Sequence, residues 1–153
     1  MSVLARYRKK GGFKQLLQLI ETSQPAKQEQ LLKVVEKEDP QWAALILEKK
    51  ITPDMILGWE ADQLTLIFEH MVPRHCACLF KSNQELNIDE YARLFRGDKY
   101  RDLKALIEDS SEPNNGEVVT AYNHLIETVR HLDEEKIINL RFIDPSLGLD
   151  EVA

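Results

Sequence analysis

Proline placement constrains this chain more than any other feature of its sequence. Pro25, Pro40, Pro53 and Pro73 each stand at the head of an apolar stripe with helical spacing. A proline is tolerated at a first helical position because its missing N–H would have no intrahelical partner there, whereas in a helix interior it breaks the hydrogen-bond ladder. The segments between these points are therefore limited to short helices. Asp39-Pro40 and Thr52-Pro53 also place a capping residue before the proline, so that a side-chain oxygen can accept a backbone N–H of the first turn.

The apolar spacing predicts a helix over 13–22, carrying Phe13, Leu16, Leu17 and Ile20, and a second from Pro25 to Asp39 with Leu31, Leu32 and Val35 inside. A third runs from Pro40 to Lys49-Lys50, with Trp42, Ala43, Ile46 and Leu47 on one face, and a short fourth runs from Pro53 to Leu57. Gly58 interrupts the pattern before the stripe Leu64, Ile67, Phe68 and Met71, and Pro73 opens the next helix. Ser82 to Glu85 has the form of a capping box, which predicts a helix carrying Tyr91, Leu94 and Phe95 up to Gly97. Leu103, Leu106 and Ile107 mark a short helix ending before the loop at 110–116. Val118 to Leu132 then forms the longest stripe, a helix of about four turns. Asp133-Glu134-Glu135 is expected to start a last, shorter element.

With only 6 Gly and 7% aromatic residues among 153, the composition argues against a loop-rich β-fold, and an all-α chain is the expectation. The organisation read from the sequence is a basic stub or linker at 1–12, a helical domain at 13–141 with a sub-boundary near 110–116, and an acidic tail at 142–153. Arg6, Arg8, Lys9 and Lys10 cluster ahead of Gly11-Gly12; they read as a solvated tail or linker, or as an arm for an anionic partner. A net charge of −6 argues against a nucleic-acid-binding face, which needs concentrated positive charge. No apolar run is long enough to span a bilayer, so no direct membrane insertion is expected.

No motif for catalysis stands in the chain: there is no phosphate loop, no His-Glu-x-x-His pair and no nucleophile elbow. Neither an enzyme nor a cofactor is expected. His70, His75, Cys76 and Cys78 are the one cluster of metal-ligand type, but on short helices they diverge, and the cysteines are expected to pack as small apolar residues. His124 and His131, seven residues apart on the long helix, read as surface histidines.

Three stretches carry a resemblance to a known family. Gly11-Gly12 is followed by Leu31-Leu32, Val35, Glu38-Asp39-Pro40 and Ala43; then come Ile56-Leu57, Leu64, Leu66, Arg74, Ala77 and Lys81; then Leu103-Lys104, Glu108, Val118, Ala121, Ile126, Arg130 and Leu132. Together they resemble the middle to C-terminal region of the flagellar motor switch protein FliG, without its N-terminal domain. The resemblance implies an armadillo-like right-handed superhelix of short antiparallel helices. It also implies a non-catalytic protein-protein interaction module, acting as a switch-complex component or adaptor, or as a scaffold or regulator outside the motor.

Glu38-Asp39-Pro40-Gln41 is similar to the Glu-His-Pro-Gln motif through which that family contacts the switch protein FliM, with Asp in place of His. The likeness implies a partner-binding surface of Glu38, Asp39, Pro40, Gln41 and Trp42, although capping alone would also explain Asp39-Pro40, and Trp42 reads equally as a core residue. The family's hinge motif falls on Lys50, Ile51, Thr52 and Pro53 with one apolar position kept. Its torque-generating charges fall on Asp98, Ala105, Leu106 and Asn114, where three charges are lost and the fourth is reversed. Lys99, Arg101, Asp102, Lys104 and Glu108 nevertheless form a charged helix face, either solvated or a shifted contact surface. The implied partners are FliM-like switch proteins or a second copy of this chain. The implied location is cytoplasmic, peripheral to a membrane-anchored motor.

Overall fold

The computed structural model describes residues 3–109 and 111–149. Among them there is no strand, and the chain is all-helical. Among the described residues nine α-helices follow in order: α1 (Gly12–Glu21), α2 (Pro25–Glu38), α3 (Pro40–Lys49), α4 (Pro53–Leu57), α5 (Ala61–Glu69), α6 (Pro73–Ser82), α7 (Lys99–Glu108), α8 (Asn115–Glu134) and α9 (Leu140–Ile143). Single 3-10 turns stand at Val3–Tyr7, Ile88–Tyr91 and Pro145–Leu147. No helix among the described residues is long and apolar enough to cross a membrane.

The chain divides into two compact units, one formed by 1–52 with 139–153 and the other by Pro53–Ile138. This division differs from the one read from sequence: the loop at 111–114 joins α7 to α8 inside the second unit, and the chain after Asn139 returns to the first.

In the first unit, α1 turns Phe13, Leu16, Leu17 and Ile20 inward against Val35 of α2 and Ala43 and Ile46 of α3. Leu4, from the segment read as a stub, is 1% exposed in the same core. The glycine pair makes that return possible. Gly11 has φ +80, a left-handed conformation open to glycine at little cost, and a Cβ on Gly12 would collide with the Tyr7 carbonyl. The C-terminal stretch is likewise anchored, as far as it is described. Leu140 and Leu147 are each 1% exposed, and the buried Lys49 donates from Nζ to the Ser146 carbonyl at 3.1 Å. Glu21, also buried, accepts the Ile51 N–H at 2.9 Å.

The second unit is centred on α6, which packs against both α7 and α8. Phe68, Phe80 and Tyr91 form an aromatic triangle with centroid separations of 5.2, 5.8 and 5.6 Å, and Phe95 extends it from Tyr91. Two expected helix starts are absent. After α6 the capping box at Ser82 opens no helix, because Asn83 is extended and its Nδ2 donates to the Leu79 carbonyl at 2.8 Å, closing α6 instead. Asp133-Glu134-Glu135 starts no element either, since α8 continues through Glu134 for 20 residues. It ends where Lys136 takes φ 61 and the Ile137 N–H donates back to the Leu132 carbonyl at 2.9 Å, the left-handed closure common at helix C-termini.

Candidate partner surface

The α2–α3 corner lies in the first unit. Asp39 caps α3 as its sequence position predicts, its Oδ1 accepting the N–H groups of Gln41 at 3.1 Å and Trp42 at 3.2 Å. Its other oxygen accepts from Arg8 Nη2 at 2.7 Å. The hydrogen bond from Arg8, followed by that from the Trp42 N–H, holds the Asp39 carboxyl below the usual range. Glu38, Pro40 and Gln41 are exposed and Trp42 is half-buried.

Trp42 is shared between core and surface. Its ring meets Phe13 edge-on at 5.2 Å, while the Arg8 guanidinium lies 4.4 Å from its centroid. Further along α3, Gln41, Ala44, Leu47 and Glu48 are exposed on successive turns, with Leu47 60% exposed. An acidic helix start, an aromatic ring and an apolar continuation thus share one helix. The sequence reading placed Arg8 in a basic cluster, as a solvated linker or an arm for an anionic partner, without its contact to this corner, and it missed Leu4. The apolar Leu4 within it was the available signal.

The charged face of α7, in the second unit, is less uniform than its composition. Lys99 is half-buried, with Nζ donating to the Met71 carbonyl at 3.2 Å. Lys104 donates to Asp89 Oδ1 at 3.2 Å, an oxygen that also accepts from the Tyr100 hydroxyl. Lys104 Nζ also donates to the Tyr100 hydroxyl at 3.3 Å; the Tyr100 bond first and the Lys104 bond second lower the Asp89 carboxyl, and the Tyr100 bond first and the Asp89 bond second raise the Lys104 ammonium, from their ordinary pKa values. Arg101 pairs with Asp98 at 3.2 Å, both side chains being mostly exposed, and such pairs contribute little. Asp102 and Glu108 are exposed. The four positions aligned with torque charges do not share a helix: Asp98 precedes α7, Ala105 and Leu106 lie on it, and Asn114 caps α8 by accepting the Glu117 N–H at 2.8 Å.

Cys76 and Cys78 are buried free thiols. Burial pushes Cys76 up to about 12, against the opposing pull of Lys99, so its reactive thiolate is scarce near neutral pH. His131 is exposed, but His124 is not the surface residue expected from sequence. It is half-buried, its Nε2 accepts the Val72 N–H at 3.1 Å, and its ring stands 4.9 Å from that of His75 on α6. A heptad step told where His124 points, but not that α6 would lie there.

Desolvation first, and then His75, lower the His124 pKa from 6.5, while Glu127 on α8 pulls the other way. The unfolded chain therefore takes up a proton at His124 before the folded chain does. Its stability is full above pH 6.5 and falls as pH drops below that value towards the folded pKa. Urea midpoints measured from pH 7.5 to 5 should decline, and His124→Gln should make the decline shallower. An unchanged pH slope in the variant would show that this pair does not govern the loss.

Comparison with known proteins returns no match: no protein-family model, no curated protein and no solved structure is similar to the chain at a significant level.

Proposed function

We propose that this chain is a non-catalytic protein-protein interaction module related to FliG, a switch-complex component or adaptor that binds its partner through the α2–α3 corner. The finer architecture, an armadillo-like right-handed superhelix of short antiparallel helices, belongs to the same proposal and is supported by the proline-opened helices. The observation that carries the functional reading is the coincidence of the Glu38-Asp39-Pro40-Gln41 stretch with an accessible helix start. Capping explains Asp39 but does not explain why Glu38, Pro40 and Gln41 stand exposed beside a half-buried tryptophan. Aromatic residues that bury much area at little cost in rotamer freedom are frequent binding anchors.

Capture of a purified FliM-type switch protein by the full chain tests this reading. Gln41→Ala should weaken capture by about tenfold, a change of about 1.4 kcal/mol, with no change in melting because the side chain is exposed. Trp42→Ala is a less selective probe, since the ring also packs on Phe13. Absence of capture, or capture indifferent to Gln41→Ala, would remove the corner as the partner surface.

The distribution of Asp98, Ala105, Leu106 and Asn114 over α7, α8 and their flanks favours a second reading, a scaffold or regulator outside the motor. Expression in a strain lacking FliG tests the charge argument. The chain is expected not to restore swimming, because no alternating charge pattern is presented at these positions. Restored motility would refute that charge argument.

A further inference from the structure

Three of the five residues at the α2–α3 corner are already engaged from within the chain. The Leu4 N–H donates to Glu38 Oε2 at 3.0 Å, Arg8 pairs with Asp39 at 2.7 Å, and the same guanidinium covers Trp42. All three contacts come from one short segment, which reaches the corner through the bend closed by Gly11 and Gly12.

The two anchors of that segment differ in kind. Leu4 is buried in the core, so its place is structural. Arg8 remains 44% exposed in its side chain, and an exposed ion pair of this sort is weak and readily exchanged. What it fills is nevertheless specific. A carboxylate oxygen and an aromatic face are set so that one planar group meets both, which suits a guanidinium better than an ammonium, a compact charge without a stacking face.

We propose that the Asp39–Trp42 pair is a receptor for an arginine-bearing segment of a protein partner, and that Arg8 is its occupant in cis. A partner enters by placing its own arginine where Arg8 lies, on the Asp39 carboxylate and over the Trp42 ring. The inference rests on the reading that this corner is the partner surface, and it adds the chemistry the partner must carry and the contact it must displace. Because Arg8 is tethered close to the pair, it competes at a high effective concentration, and an unmodified chain is partly closed to arginine ligands.

The probe is a fluorescein-labelled synthetic peptide with the sequence of residues 3–10, together with the same peptide carrying Arg8→Ala, titrated into the full chain. The Arg8→Ala chain should bind the arginine peptide about two- to fivefold more tightly than the wild-type chain, since the weak cis competitor is gone. The alanine peptide should bind that variant at least about tenfold more weakly, because a non-specifically attracted basic peptide would not make this distinction. Adding Asp39→Asn to the variant, which keeps a capping oxygen but removes the charge, should also weaken binding.

Equal affinity of the wild-type and Arg8→Ala chains, equal binding of the two peptides, or no saturable binding up to roughly millimolar peptide would each overturn the proposal. Loss of helical circular dichroism in Arg8→Ala would overturn it as well, by showing that Arg8 is a structural strut. Peptide binding without capture of the switch protein would defeat the proposed function alone. Capture that withstands Arg8→Ala in a chain that ignores the peptide would defeat this inference alone.

Discussion

Phe68→Ala is expected to remove about 3–5 kcal/mol of folding free energy, the range for deleting a fully buried aromatic side chain. Phe68 has no exposed surface, and its ring lies within 5.8 Å of both Phe80 and Tyr91. The deletion thus removes a large apolar body and leaves two other rings facing a cavity that α5 and α6 cannot close without moving their backbones. Phe68→Leu, which keeps part of the volume, should cost clearly less. Urea unfolding followed by circular dichroism gives the total, and amide exchange should place the loss within 53–138. A loss below about 1 kcal/mol would mean that the triangle is loosely packed and that this unit is held elsewhere.

Gly12→Ala should destabilise the first unit by about 1–3 kcal/mol, the usual cost of overpacking. The sign makes this a sharp test. Gly12 is the first residue of α1, and intrinsic helix propensity alone would make alanine better there by up to about 1 kcal/mol. The collision opposes that gain, because the new methyl group meets the Tyr7 backbone carbonyl and not the end of a flexible side chain. Relief requires shifting the Val3–Tyr7 turn and with it the buried Leu4. Exchange of the Leu4 and Ala5 amides should therefore accelerate in Gly12→Ala more than exchange in the middle of α2. A neutral or stabilising Gly12→Ala would show that the turn does not rest on this glycine.

The starts of α2, α3, α4 and α6 were legible in the sequence because their cause is local. Proline geometry and the reach of the Asp39 carboxylate act over three or four residues, and no distant part of the chain is needed to apply them. Signals of the same kind failed at Ser82 and at Asp133 for reasons equally physical. A capping box is only an offer to start a helix, and Asn83 had already closed α6 by donating to Leu79. Three acidic residues in a row can open a helix or ride on an existing one, and the inward-facing Val129 and Leu132 carried α8 on to Glu134.

At the candidate surface, sequence placed the motif and its cap, but could not tell that Trp42 faces both Phe13 and Arg8. It also placed Arg6, Arg8, Lys9 and Lys10 together in a basic stub, whereas tertiary structure singles out Arg8 for the corner.

By itself, then, the sequence determined the helical class, the inward stripes of α1 and α5 and the cap that begins α3, whereas Leu47, read onto the inward face of α3, is 60% exposed. All of these depend on neighbours one to four residues away. Tertiary structure alone decided which polar groups turn inward and what they meet: Glu21 with Ile51, Lys49 with Ser146, Lys99 with Met71, His124 with Val72. These partners lie 28 to 97 residues apart. A polar group withdrawn from water costs free energy unless it finds a hydrogen-bond partner, and over such separations that partner exists only once the chain has folded back on itself.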